Sequence, residues 1–140
     1  MVAPESYIDI NVFIYWLGGH PIYGERAFRW IRDIEESRRV RHITSTLTLY
    51  EVLVILAGLT NRTLGDNVFV KKVIDAITGL RNLIITPFTI DDVEEATKLM
   101  GEYDIDYEDA LHLAIALRNK VKNIISNDED FDKTPLKRLF

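Results

Sequence analysis

Short apolar runs of four or five residues alternate with segments of helical period along the whole chain. That alternation restricts the architecture more than any other feature. Ser6 to Ile10, His42 to Ser45, Leu83 to Pro87 and Asn123 to Ser126 read as strands, and the tail from Pro135 to Phe140 as a last edge strand. Between them, helices are expected over Asn11–Leu17, Tyr23–Arg38, Thr46–Leu59, Asp66–Gly79, Thr89–Met100 and Asp106–Asn119. In the second of these, Ala27, Trp30, Ile31 and Ile34 recur at helical spacing and mark the buried face. Strands that alternate with helices predict βαβ units, hence a mostly parallel sheet with helices on both faces. No repeat, low-complexity segment or linker interrupts the pattern, and residues 1–140 read as one domain.

The segment DIDYEDALHLAIALRNKVKNIISNDED, Asp104 to Asp130, places carboxylates at both ends of one αβ unit. A helix that returns antiparallel to its strand brings its start beside the strand's end, so Asp109 approaches Asp128. Two carboxylates held together call for a cation or a shared proton. Each also has a local explanation. Asp106 suits a helix N-cap, Asp109 the first helical turn and Asp128 a turn. Asp9 closes the first strand, where sites of parallel sheets form, although it too can cap the helix that follows.

Thr46–Leu59 is apolar on nearly every side, yet Glu51 stands in its middle. No Lys or Arg lies three or four residues away to pair with it. An unpaired buried carboxylate costs several kcal/mol, roughly. A metal ion or a shared acidic pocket is the better explanation. The apolar surplus also suggests packing against a second copy of the chain. The acids Asp91, Asp92, Glu94 and Glu95 suit the start of their helix and solvent.

Composition removes whole classes of chemistry. Cysteine is absent, so disulfides, thiol nucleophiles and thiolate-bound zinc are excluded. His20, His42 and His112 have no zinc-ligand spacing. Neither G-x-G-x-x-G nor G-K-[ST] occurs. There is no membrane-spanning run and no signal-peptide pattern, and a cytoplasmic location is the expectation. The net charge of −5 disfavours a generic nucleic-acid coat protein. Net charge hides clustering, however. Arg38, Arg39, Arg41 and His42 form one basic cluster, and Lys71 and Lys72 share a helix face.

The acids recur in a recognisable order: an Asp ending YID, a Glu within TLTLYEVL, an Asp before Ala-Leu in DYEDAL, and an Asp after the strand in IISNDED. Over nearly the whole chain this resembles a PIN domain, and its small single-domain form resembles VapC-type toxins. A Thr often follows the family's first Asp, where this chain has Ile10. The resemblance implies a metal-dependent endoribonuclease paired with a small antitoxin. It carries the catalytic and metal-binding roles to Asp9, Glu51, Asp109 and Asp128, with Asp130 as a fifth candidate. Asn11, Ser126 and, less closely matched, Ser45 would orient these ligands. All-oxygen ligands favour Mg²⁺ or Mn²⁺.

Arg38, Arg39, Arg41, Lys71 and Lys72 are the candidates for RNA backbone contacts. His112 is expected to be a packed histidine, and Tyr15, Trp16 and Trp30 core or interface. The expected partners are RNA, an antitoxin and a second copy of the chain. Two alternatives remain in the same fold, an RNA-maturation nuclease and a silent binding module. A haloacid-dehalogenase-like phosphatase would want Asp-x-Asp after the first strand, where this chain has Asp9-Ile10-Asn11.

Overall fold

In the computed structural model, which describes residues 3–140, five parallel strands form the central layer. They are β1 (Ser6–Ile8), β2 (His42–Ser45), β3 (Leu83–Thr86), β4 (Asn123–Ile125) and β5 (Lys137–Leu139), in the spatial order β3-β2-β1-β4-β5. All pairings are parallel, with Tyr7 opposite Ile43 on one side and Ile124 on the other. The helices are α1 (Ile10–Leu17), α2 (Gly24–Glu36), α3 (Thr46–Leu59), α4 (Asn67–Thr78), α5 (Ile90–Tyr103) and α6 (Tyr107–Arg118). A short 3₁₀ turn, Glu129–Lys133, joins β4 to β5.

Residues alternate between the two faces of a strand, and the core divides accordingly. Tyr7, Ile43 and Ile124 pack with α5 and α6, through Ala96, Leu99, Leu113 and Ile115. Ile8 and Ile125 point the other way, into Phe13, Ile31, Ile34, Val52 and Ile77 from α1 to α4. Helices therefore cover both faces, as the alternation predicted. Central strands buried on both sides are the expected form of a parallel sheet.

The helix boundaries follow local chemistry. Ser45, Asp66, Thr89 and Asp106 each accept a backbone N–H of the first turn, and Thr89 and Asp92 complete a reciprocal capping box. One sequence expectation is corrected here. Asp92 is not a solvated acid but 2% exposed, and Arg118 of α6 donates to it from Nε and Nη2 at 2.8 and 2.9 Å. Burial opposes ionisation of Asp92, but these hydrogen bonds and those of Thr89 hold its pKa below the ordinary value.

From β1 the chain moves outward through β2 to β3, then returns across the sheet to β4 and β5. The direction reverses between β1 and β4. In open parallel sheets, the crevice beyond the carboxyl ends at such a reversal is where ligands bind.

Candidate metal centre

Asp9 follows β1 and Asp128 follows β4, so both lie at that reversal. The antiparallel return of α6 adds Asp109, in its first turn. Carboxylate oxygens of Asp109, Asp128 and Asp130 lie within 4.8 Å of one another.

Asp9 occupies the N-cap position of α1, yet its side chain makes no cap hydrogen bond. Ser126 Oγ instead donates to Asp9 Oδ2 at 2.6 Å, and Asn11 Nδ2 approaches the same oxygen at 3.3 Å. Ser126 Oγ also accepts the Asp128 N–H at 3.0 Å and lies 3.1 Å from Asn11 Nδ2. Asn11 Oδ1 accepts the Asn127 N–H at 3.2 Å. Asn11 and Ser126 thus tie the β1 end to the β4 end. Asp128 caps the 3₁₀ turn by accepting the Asp130 N–H at 2.9 Å. Asp106 caps α6 by accepting the Asp109 N–H, which leaves the Asp109 carboxyl outside the capping scheme.

Electrostatics fit a cation at this place. Burial, followed by the charges of Asp128, Asp106, Asp9 and Asp130, pushes Asp109 up to about 7. Burial also raises Asp9, against the opposing pull of His112 and Ser126. Carboxylates so arranged destabilise one another's charged forms, and a divalent cation would reverse that effect. The donor set is all oxygen, which fits a hard cation.

Glu51 falls in a separate group with Glu108 and His112. Its Oε1 accepts a 2.6 Å hydrogen bond from His112 Nε2. The compensation for its burial is therefore the imidazole of α6, out of reach of any search within α3. His112 is buried, as expected of a packed histidine, but it is bonded at both nitrogens. Nδ1 lies 2.6 Å from Tyr7 Oη, which in turn lies 2.7 Å from Ser45 Oγ. Burial works against the imidazolium, but Tyr7, Glu51 and Asp9 outweigh it and raise its pKa well above the ordinary value. Burial likewise opposes ionisation of Glu51, and the His112 bond and charge overcome it, lowering its pKa. An ionised Glu51 beside a protonated His112 satisfies both. Desolvation, then the neighbouring Glu51 carboxylate, push Glu108 up to about 7.

Other candidates lie elsewhere. Ser45 caps α3 and belongs to the Tyr7–His112 network, without a hydrogen bond to the aspartates among the described residues. Arg39 and Arg41 both pair with Glu5, and Arg38 to Arg41 precede β2, at the edge of the sheet opposite the aspartates. His42 does not extend that basic cluster. It is buried 3.5 Å from Asp33, and burial lowers its pKa towards the neutral form. Lys71 pairs with Asp75 on α4, and Lys72 lines a cleft with Leu17, Leu56 and Phe69. Tyr7, Glu108 and Asn127 escaped the sequence reading. The available signals were a tyrosine inside an apolar strand, and the neighbours of Asp109 and Asp128 in sequence.

The chain is similar in fold to several solved structures. VapC20 of Mycobacterium tuberculosis, described as a sarcin-ricin loop cleaving toxin, superposes with a TM-score of 0.70 at 16% identity, over 91% of this chain and 93% of that one. A toxin–antitoxin complex from Klebsiella pneumoniae gives 0.64 at 20% identity, over 95% and 99%. VapBC2 of Rickettsia felis, bound to a DNA fragment from its promoter, gives 0.66 at 16% identity, over 96% of each chain. No curated protein sequence matches the chain. The PIN domain family profile matches residues 6–137. With that match across nearly its whole length, the chain belongs to the PIN domain family.

Proposed function

We propose that this protein is a divalent-metal-dependent endoribonuclease, the toxin of a VapBC-type toxin–antitoxin pair acting in the cytoplasm. The observation that carries the reading is the gathering of Asp109, Asp128 and Asp130 at the sheet reversal, beside an Asp9 that does not cap its helix. The resemblance to toxins, one of them described as cleaving the sarcin-ricin loop, supports RNA as substrate. The toxin–antitoxin complex among its structural neighbours supports an antitoxin partner.

Asp9, Asp109 and Asp128, with Asp130 at the rim, would hold Mg²⁺ or Mn²⁺. A cation held there would supply charge neutralisation at a phosphodiester and a water of lowered pKa, and the proposed hydrolysis gives a 5′-phosphate and a 3′-hydroxyl. Ser126 and Asn11 fix the Asp9 carboxylate in one orientation, and Ser126 also fixes the backbone at Asp128. His112 keeps Glu51 ionised, and this carboxylate, outside the aspartate group, would act as a further ligand or water anchor. Burial of Asp9 and Asp109 strengthens every charge interaction there.

The test is cleavage of a labelled single-stranded RNA panel with Mg²⁺, Mn²⁺ or EDTA, comparing the native chain with Asp9→Asn and Asp109→Asn. The expected outcome is metal-dependent cutting that both variants lose, by at least about 100-fold given the charge removed from the centre. Equal cutting by all three proteins would remove the assignment.

A further inference from the structure

Tyr15, His20, Tyr23 and Phe140 form an aromatic cluster that the metal chemistry does not use. Tyr15 and His20 ring centroids lie 4.8 Å apart, and His20 and Tyr23 stack at 5.0 Å with planes 27° apart. Phe140 meets Tyr15 and Tyr23 edge-on at 5.9 Å. The core aromatics Tyr7 and Phe13 are fully buried, whereas these four rings are only partly buried, and Ile22 at the tip of the turn is 74% exposed.

The turn between α1 and α2 makes this arrangement rigid. Gly19 adopts φ +63°, and a side chain at Gly24 would crowd the Tyr15 carbonyl at 3.3 Å. The His20 N–H donates to the Tyr15 carbonyl at 3.0 Å, folding the turn back on α1. His20 Nδ1 accepts the N–H groups of Ile22 and Tyr23 at 3.1 and 3.0 Å. That fixes the ring and its tautomer, and Nε2–H remains as a donor.

The cluster is joined to the metal centre. Asn127 Nδ2 donates to Tyr15 Oη at 3.2 Å, and the Asn127 backbone is bonded to Asn11, which touches Asp9. Asn11 and Tyr15 are about one helical turn apart on α1, about 6 Å along the axis. Positive charge borders the same side. The Arg26 guanidinium sits 4.8 Å above the Phe140 ring and donates to the Phe140 carbonyl.

Single-stranded nucleic acid is held where aromatic faces that stack bases adjoin cations that meet phosphates. We propose that His20 and Tyr23 form the stacking surface for a base of the RNA strand beside the scissile phosphate, with Arg26 at the neighbouring phosphate. The inference rests on the RNA-cleaving reading above. It makes these residues determinants of substrate affinity, and neither is a metal ligand.

The test uses single-stranded RNA carrying 2-aminopurine, whose fluorescence falls on stacking. Native protein, Tyr23→Leu, Tyr23→Phe and His20→Ala are compared for quenching, KM, kcat and Mn²⁺ affinity. Tyr23→Leu is expected to raise KM about 5- to 100-fold, the equivalent of one lost stack. It should also lose the quenching, with kcat and Mn²⁺ affinity held, while Tyr23→Phe restores both readouts. His20→Ala gives a smaller loss of the same kind and serves if Tyr23→Leu fails to fold. Native KM and quenching in Tyr23→Leu and His20→Ala would overturn the proposal, as would a fall in kcat alone. Loss of a co-purifying protein partner with RNA affinity intact would also overturn it, assigning the surface to protein docking. If the native protein neither binds nor cuts RNA, the parent reading falls as well, and the two failures are thereby distinguished.

Discussion

Asp109 shows most directly what the centre demands of a single residue. Its carboxyl is favoured in the protonated form by the fold, with a pKa pushed up to about 7 by burial and neighbouring acids. A carboxylate raised on folding contributes stability that is fully present at acid pH and lost as pH rises through the folded value. Metal-free protein at pH 8 therefore carries an electrostatic penalty on the order of 1 to 4 kcal/mol at this site. Asp109→Asn should raise the EDTA melting temperature at pH 8, by about 3 °C per kcal/mol. The difference should shrink at pH 5, and equal shifts at both pH values would contradict the electrostatic account. Ser126→Ala removes the 2.6 Å donor to Asp9. It should weaken Mn²⁺ binding about 10- to 100-fold, as loss of a ligand-orienting group does, a change that calorimetric titration resolves.

At the scale of elements, α5 and α6 are locked by Arg118 against the buried Asp92. Arg118→Ala strands that carboxylate and should destabilise the fold by about 2 kcal/mol, discounted from the fully buried case because Arg118 is partly exposed; urea unfolding reads it. What the sequence revealed follows range. The α3 boundaries, Thr46–Leu59, were legible because a continuous apolar run is a local signal. The second strand, His42–Ser45, has the bounds read from the sequence, whereas the other four are shorter than read: Asp9, Pro87 and Ser126 leave the ladder where the chain turns, and the last strand keeps only Lys137–Leu139 of the expected Pro135–Phe140. Asp109 and Asp128 could be brought together from the sequence because an αβ unit returns upon itself, whereas Asp9 joined them through its place at a strand end and the family resemblance. The partners of Glu51 and Asp92 could not be found that way. They sit 61 and 26 positions away, on a helix that packs against each by tertiary contact alone. The aromatic cluster was equally hidden, because it joins α1, a turn, the start of α2 and the last residue of the chain.

Across the whole molecule, opposite edges of the sheet carry opposite tasks. The amino edge holds the Glu5 pairs with Arg39 and Arg41, while the carboxyl edge concentrates acids. Among the described residues no helix is long and apolar enough to cross a membrane. The outer face of α3 leaves Tyr50 61% and Val54 42% exposed, one turn apart, and we propose it as the face for the pairing of two copies expected from the sequence. Val54→Asp should preserve the fold and yield monomers in sedimentation velocity; an unchanged sedimentation coefficient would place the pairing elsewhere or remove it. The proposed chemistry requires the aspartates at the β1–β4 reversal to hold a divalent cation. Calorimetric titration of Mn²⁺ into the RNA-free protein tests it most directly. Saturable binding is expected, abolished by Asp109→Asn and left intact by Glu94→Gln, at an exposed acid of α5. Binding that survives Asp109→Asn, or no binding to the native chain, would contradict it.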